Sequence, residues 1–571
     1  MQESEQLKEQ TSDIELDLQA AIDLHQTGNL EQASIRYRQI LKQEPNHVAA
    51  TNLLGVLAHQ IGKHELAINL ISKAITLKPD NPDFYCNLGA AYHGLKQTED
   101  AIACYRNALL INPAYALAHN NLGSALKEQG RLDEAITCFQ QALSLQPDFF
   151  LAQNNLSIAQ GNDNRNVHLP LSGPAQFYAE ALRFAAQFET PLKVGWPEHT
   201  NTPDPEKRIK LGYVSGDFRN HAVAYFILPI FANHDHAHFE IFCYSNSHIH
   251  DDITERLKKS ADHWLVCKDL SEAQLAAQIL QDGIDILVDL SGHTAHNRLL
   301  TFARKPAPVQ VTFVGIPAST GLQAMDYRLT DIDMDPPGMT EAWHTETLVR
   351  LSTAATYQAP TDSPEVSPLP ALNSPIFTLA CLNNLAKISK KTIRLWSRIL
   401  HALPSTRLIL GNARNERTRQ QLLEQFAQHG IAAERIILKP NMPLRDYLAL
   451  HGEIDLALDP FPYNGGTTSN HSLWMGVPVI TLAGNSSISR VGVAIMSRLG
   501  LTECIAVDEE DYLRLVVEYA NDLPRLSALR SRCRTMVESG SGSGPKEFTL
   551  AVENAYRTMW RKWCVSQGSA Q

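Results

Sequence analysis

The spacing of apolar and polar positions changes character along the chain. From about residue 14 to residue 160 it keeps one long period: Ala33, Ala67, Ala101 and Ala135 are 34 residues apart, and so are Pro45, Pro79, Pro113 and Pro147. Gly55, Gly89 and Gly123 keep that interval; Gly28 and Gly62 are followed two periods later by Gly130. Four repeat positions in one register predict paired helices, small residues where helices touch, and a proline near the end of each unit.

A period of 34 with this punctuation is that of tetratricopeptide repeats, so residues 14–160 are read as an α-solenoid. Its concave surface suits a polypeptide; an oligomerisation or scaffold arm is the alternative. Asn87, Asn121 and Asn155 share one repeat position. An amide both donates and accepts, so this ladder could hold an extended peptide by its backbone. The same amides could instead cap or bridge neighbouring helices, and Leu53 at the equivalent position leaves any ladder short.

Between 157 and 208 the period fails, which predicts a linker at 161–208 holding one amphipathic helix at 175–188. Strand-like and helix-like runs then alternate, with strands at 209–214, 239–244, 284–290 and 309–313 and helices at 223–231 and 271–281. A stretch rich in Pro, Ser and Thr at 359–375 interrupts the alternation. It resumes with strands at 376–382, 407–410, 435–438, 454–458 and 477–482 and helices at 390–402 and 416–429. The pattern predicts two α/β Rossmann-like domains, 209–358 and 376–545, facing each other across a cleft with ligands at the carboxyl ends of the strands. A last amphipathic segment, 546–565, is long enough to pack across a domain surface.

The stretch with the most chemical content is DPFPYNGGTTSNHSLWMGVPV, 459–479. It follows an apolar strand, turns through Gly465 and Gly466, and starts a helix at Thr467 and Thr468. Unpaired N–H groups at a helix start attract anions, so the turn either holds a nucleotide diphosphate or is an ordinary glycine turn. Lys387, in CLNNLAKI, ends a strand at the same side and could neutralise that anion, or stand solvated at a helix start. His221, in GYVSGDFRNHAVAYF, sits where a strand gives way to a helix; it could serve as a general base, orient an acceptor hydroxyl, or cap the helix. Around Gly315 and Pro317 the backbone leaves a strand without bulky side chains, which would let a sugar approach. His293 and His296 could belong to the site or to a polar network beneath it.

Two other clusters imitate metal sites. His234, Asp235, His236 and His238 lie in a loop with no second group at ligand spacing; Asp331, Asp333 and Asp335 could hold a divalent cation with a nucleotide diphosphate or, running into Pro336 and Pro337, simply make a turn. No metal is assigned to either.

Composition narrows the class. The 571 residues are 44% hydrophobic, enough for several cores, and a net charge of −11 gives no basic excess for nonspecific nucleic-acid binding. Nine widely spaced cysteines without a CxxC pair read as reduced thiols. A polar start and the lack of an apolar run approaching about 20 residues argue against export and membrane insertion, so a cytoplasmic protein is expected.

Repeats followed in order by GYVSGDFRNH, ILVDLSGHTAHNRL, PAPVQVTFVGIPASTG, NNLAKI and PYNGGTT resemble the protein O-GlcNAc transferase family, including its SPINDLY-type O-fucosyltransferases. The resemblance runs from about residue 18 to 564 and is closer to the SPINDLY branch in AYFILP and AYRTMWRKWC. It implies a GT-B glycosyltransferase, inverting and independent of metal or other cofactor, that moves a sugar from a nucleotide diphosphate to Ser or Thr hydroxyls of intracellular proteins. UDP-GlcNAc is the favoured donor and GDP-fucose the alternative; an inactive repeat scaffold, and a GT-B enzyme acting on small molecules or on Asn, are the other readings. The implied partners are the donor and polypeptides in the repeat groove, with no oligomeric state indicated. By resemblance His221 is the pocket histidine, Lys387 contacts the diphosphate, Thr467 and Thr468 follow the glycine turn, and Gly315 and Pro317 touch the sugar. Where animal members carry an aspartate on the ribose this chain has His471, and where they carry a histidine near the nucleobase it has Tyr447, whose ring could stack there. Asn384 and Ala386 also depart from the animal pattern.

Overall fold

This computed structural model describes residues 2–26, 28–149, 151–153, 155–156, 159, 174–247, 249–294, 296–351, 356–413, 416–539 and 544–568. The chain divides into two compact units, Met1–Ala159 and Gln160–Gln571.

The first unit is the expected succession of tetratricopeptide hairpins. Helices Val48–Gln60 and His64–Leu77, Pro82–Gly94 and Thr98–Ile111, and Ala116–Glu128 and Leu132–Leu145 form successive pairs, preceded by Gln2–Gln26 and Leu30–Gln43. The four periodic alanines are fully buried. The periodic glycines make room for a neighbour: a Cβ on Gly55, Gly89 or Gly123 would come within 2.6 Å of Ile71, Tyr105 or Phe139, which themselves keep the repeat interval. Gly28, Gly62 and Gly130 turn with φ of 81°, 78° and 74°, and at the matching place in the third unit Lys96 adopts φ 61° without the freedom of glycine.

The second unit holds two parallel sheets. Strands β1 Ile209–Ser215, β2 Phe239–Ser245, β3 His263–Val266, β4 Ile286–Asp289, β5 Val309–Thr312, β6 Tyr327–Asp331 and β7 Thr347–Leu351 form one, in the order β3-β2-β1-β4-β5-β6-β7. Strands β8 Phe377–Cys381, β9 Thr406–Leu410, β10 Ile436–Leu438, β11 Leu456–Leu458, β12 Val479–Leu482 and β13 Ile505–Ala506 form the other, in the order β10-β9-β8-β11-β12-β13. Both orders reverse direction after the first strand, which creates the crevice where doubly wound folds bind ligands: between β1 and β4, and between β8 and β11.

The long helix Pro545–Gly568 returns to the first sheet, where Phe548, Val552, Tyr556 and Trp560 enter its core. Of the expected linker, residues 161–173 lie outside the described residues; helix Pro174–Phe184 is shorter than expected because the next five residues widen into a π-turn. The stretch 359–375 lies along the second sheet domain, with Leu369 buried and Ser367 accepting hydrogen bonds from Arg530.

Several elements were not anticipated. β3 has no buried position, β13 has two residues, and β6 ends in the acidic run at Asp331. Strands expected at 284–290, 454–458 and 477–482 are shorter, because their flanking apolar residues are buried in loops rather than paired in the sheet.

Candidate active site

The crevice between β8 and β11 assembles the phosphate-type chemistry. Lys387 follows β8 and the glycine turn follows β11, and the Lys387 ammonium donates to the Asn464 carbonyl at 2.9 Å and lies 3.9 Å from the centre of the Tyr463 ring. The Asn464 carbonyl is its one hydrogen-bond acceptor among the described residues, so the ammonium keeps donor capacity for a ligand. Burial lowers its pKa to about 8, while the carboxylate of Asp459 favours the charged form. Asp459 is buried, its pKa pushed up to about 6 by burial, and it braces the turn by accepting from Gly465 N at 2.7 Å and Thr481 Oγ1 at 2.8 Å.

Helix Thr467–Trp474 starts at Gly466 without a side-chain cap, so its first N–H groups are bare donors beside Lys387. The two glycines differ. A Cβ on Gly465 would meet Ser469 Oγ at 2.5 Å and the Asn383 amide at 2.9 Å, whereas one on Gly466 would find only Val491 at 3.8 Å. Gly465 is needed for close packing; Gly466 leaves the approach to the helix start open.

Across from this, β5 runs into a loop of unusual backbone. Val314 has φ 61° and Gly315 φ 47°, and a Cβ on Gly315 would sit 2.6 Å from the Ser291 carbonyl. A β-branched residue in the left-handed region is strained, and such strain is held by its surroundings. Here Arg328 Nη1 donates to Ala318 O at 2.8 Å and Ile316 O at 3.5 Å, tying the loop to β6.

A cavity of about 240 Å³ joins the two sides. From the second sheet domain it is lined by Lys387, Tyr463, Gly466 and Thr467, and from the first by Gly315, Pro317, Arg328 and Asp331, with Val223, Phe226 and Phe313 among its apolar walls. It thus gathers Gly315, Pro317, Lys387, Gly466 and Thr467 from the sequence-derived set. His221 is beside it: its neighbours Ala222 and Val223 line the wall, while its Nδ1 lies 3.4 Å from Asp217 Oδ2 and from Val223 N. Burial lowers its pKa, with Arg219 adding to the shift and Asp217 opposing it.

Other expected residues lie off the cavity wall. Gly465 and Thr468 are in the turn and first helical turn behind it, and Asn384 is exposed, whereas the buried amide against the glycine turn is its neighbour Asn383. His471 is buried with its ring 5.3, 5.8 and 5.5 Å from those of Tyr225, Tyr357 and Tyr447. Its Nε2 has no hydrogen-bond partner, and burial, helped by His451, lowers its pKa to about 3, so the ring is neutral. The side chain expected at the ribose is therefore enclosed by tyrosines, and Tyr447 packs on it.

The metal-like clusters have other partners. His234 is buried between Tyr213 and Glu553 at 2.9 and 2.8 Å. Asp335 accepts hydroxyls of Thr330, Thr340 and, from the second sheet domain, Ser487; Arg490 donates to Asp333 O at 2.7 Å. Among the described residues no three such side chains are placed to hold a metal ion.

Sequence reasoning missed Tyr463, Asn383, Arg328 and the cavity-facing role of Asp331. Tyr463 was legible as an aromatic inside the glycine turn; Arg328 and Asp331 were not, because β6 was not recognised.

A family model for glycosyl transferase family 41 matches residues 191–356 and 371–547, more than half of the chain. The chain belongs to glycosyl transferase family 41. Tetratricopeptide models match 57–96, 82–115 and 116–149. Among curated members, a probable UDP-N-acetylglucosamine–peptide N-acetylglucosaminyltransferase, SPINDLY of Arabidopsis thaliana, is 38% identical over 66% of this chain and 43% of its own length. The protein SEC of the same plant, with the same probable activity in its name, is 29% identical over 63% of this chain and 38% of its own. The chain therefore spans about two-fifths of the length of these plant members. A mutant of the Thermobaculum terrenum O-GlcNAc transferase superposes with a TM-score of 0.73 at 34% identity, covering 98% of this chain and 99% of that one. No described helix is long and apolar enough to cross a membrane.

Proposed function

We propose that this family 41 chain is a glycosyltransferase that moves N-acetylglucosamine from UDP-GlcNAc to Ser or Thr hydroxyls of intracellular proteins, with inversion and without a metal. The observation that carries the reading is the convergence of Lys387, the bare start of helix Thr467–Trp474 and the glycine turn at the crevice of the second sheet. Support for the donor comes from the names of the plant members and for protein acceptors from the repeats.

In this scheme the acceptor hydroxyl attacks the anomeric carbon from the face opposite the diphosphate, and the bond to the diphosphate oxygen breaks with its electron pair leaving on that oxygen. Lys387 and the helix N–H groups are aimed at that growing charge, the arrangement that stabilises a departing anion most. His221, neutral near pH 7 and at the cavity rim, receives the hydroxyl proton. The repeat unit recruits the polypeptide. His471, Tyr447 and Thr468 shape the ground beneath the nucleotide, with Asn384 at the rim.

The test is transfer itself. Purified protein is incubated with mixed cell proteins and either UDP-GlcNAc or GDP-fucose labelled in the sugar, and the modified atom is mapped by mass spectrometry. Label on Ser or Thr from UDP-GlcNAc is expected. Label from GDP-fucose alone would replace the donor, and none from either would overturn the enzyme reading in favour of a scaffold.

A further inference from the structure

The cavity has two polar ends. One is the Lys387 and Thr467 end on the second sheet domain; the other is on β6 of the first, where Asp331 is the last residue of the strand and lines the wall with Arg328. Val223, Phe226, Phe313 and Leu351 line the same cavity. A sugar joined to a diphosphate at Lys387 would share this cavity with Asp331. Its carbon faces suit the apolar walls, and its hydroxyls need an acceptor beyond them.

Asp331 has the geometry of such an acceptor. Its Oδ1 accepts from Asp333 N at 2.9 Å and Met334 N at 2.7 Å, which fixes the carboxylate, while Oδ2 accepts no hydrogen bond from any described residue. The rest of the acidic run is occupied: Asp335 takes three hydroxyls and the Asp333 carbonyl takes Arg490, so these two residues join the domains and Asp331 alone faces the cavity. Burial raises its pKa to about 6, which still leaves it ionised at neutral pH. Arg490 and Arg498 of the second sheet domain add an electrostatic attraction to it. A fixed carboxylate with an open oxygen makes strong, directional bonds to hydroxyl donors.

We propose that Asp331 determines donor-sugar recognition, its open Oδ2 accepting hydrogen bonds from hydroxyls of the transferred sugar while Lys387 and the helix start hold the diphosphate. The proposal rests on the nucleotide-sugar reading and adds the residue that reads the sugar. It separates two affinities that a merely structural residue would change together.

The experiment is titration calorimetry of the full chain, wild type, Asp331→Asn and Asp331→Ala, with UDP, UDP-GlcNAc, GDP and GDP-fucose. For whichever pair the wild type binds, Asp331→Ala should weaken the sugar nucleotide at least tenfold and leave the bare nucleotide within about twofold, with Asp331→Asn between. Retained nucleotide binding shows that the variants fold. Equal losses for both ligands, in the conservative Asn variant as well, or no loss for either, would overturn the proposal while leaving the donor reading standing. A wild type that binds none of the four would overturn both.

Discussion

The repeat unit and the cleft use the same kinds of polar side chain in opposite ways. In the repeats the amides that suggested a peptide ladder are bonded between units: Asn87 Nδ2 donates to Asn52 Oδ1 at 3.3 Å, Asn121 Nδ2 to Cys86 Sγ at 3.5 Å, and Asn155 Nδ2 to Asn120 Oδ1 at 3.0 Å. Each bond joins residues 35 apart, so the period that builds the superhelix also satisfies its amides. In the cleft, Lys387 keeps donor capacity, a helix starts uncapped, His471 Nε2 has no partner, and the N–H groups of Val314, Gly315 and Ile316 meet no acceptor among the described residues. Polar groups left without partners cost stability, so those that border a cavity are the ones a ligand can complete.

The largest effect that would break this contrast is at Lys387. Lys387→Ala should lower kcat by about 10² to 10³, the scale for removing one donor from a developing anion. Because the protonated ammonium is the active form, kcat/KM should fall as pH rises through about 8, and that basic limb should vanish in the variant. A pH profile unchanged up to 10 would remove Lys387 from the account.

Tyr463 offers a sharper, smaller test. Its ring holds the ammonium, so Tyr463→Leu should reduce kcat/KM by roughly 2- to 30-fold, corresponding to about 0.5–2 kcal/mol of cation–π attraction, and Tyr463→Phe should restore most of it. Equal losses for Leu and Phe would assign the effect to the hydroxyl instead.

On the repeat side the effects should be on stability alone. Asn121→Ala removes one inter-repeat bond and should lower the unfolding free energy by about 0.5–1.5 kcal/mol in urea denaturation, without changing the KM for donor. An unchanged stability with weakened peptide binding would return the amides to the groove. The smallest change is a gain: Lys96→Gly relieves a left-handed residue where the neighbouring repeats have glycine, and should stabilise the unit by at most about 1 kcal/mol.

How far the sequence revealed this contrast depended on the range of the signal. The repeats were legible because their periodic Ala and Gly positions report helix contacts and turns repeated in register. The Lys387 end of the cavity was legible too, since a strand, two glycines and a helix start lie within a few consecutive residues. The β6 end was not. Arg328 and Asp331 reach the cavity only because β6 sits between β5 and β7 in the sheet, and nothing local distinguishes Asp331 from Asp333 or Asp335. The amides show the same limit: the bridging alternative was open in the sequence, but the partner of Asn87, Asn52, stands one register place away from the equivalent position.

The central claim is that the second-domain crevice holds the donor by its diphosphate, and calorimetric titration of UDP into wild type and Lys387→Ala tests it most directly. One saturable site in the wild type and an affinity at least tenfold weaker in the variant are the predicted results; no binding to the wild type, or equal affinity in both proteins, would contradict it.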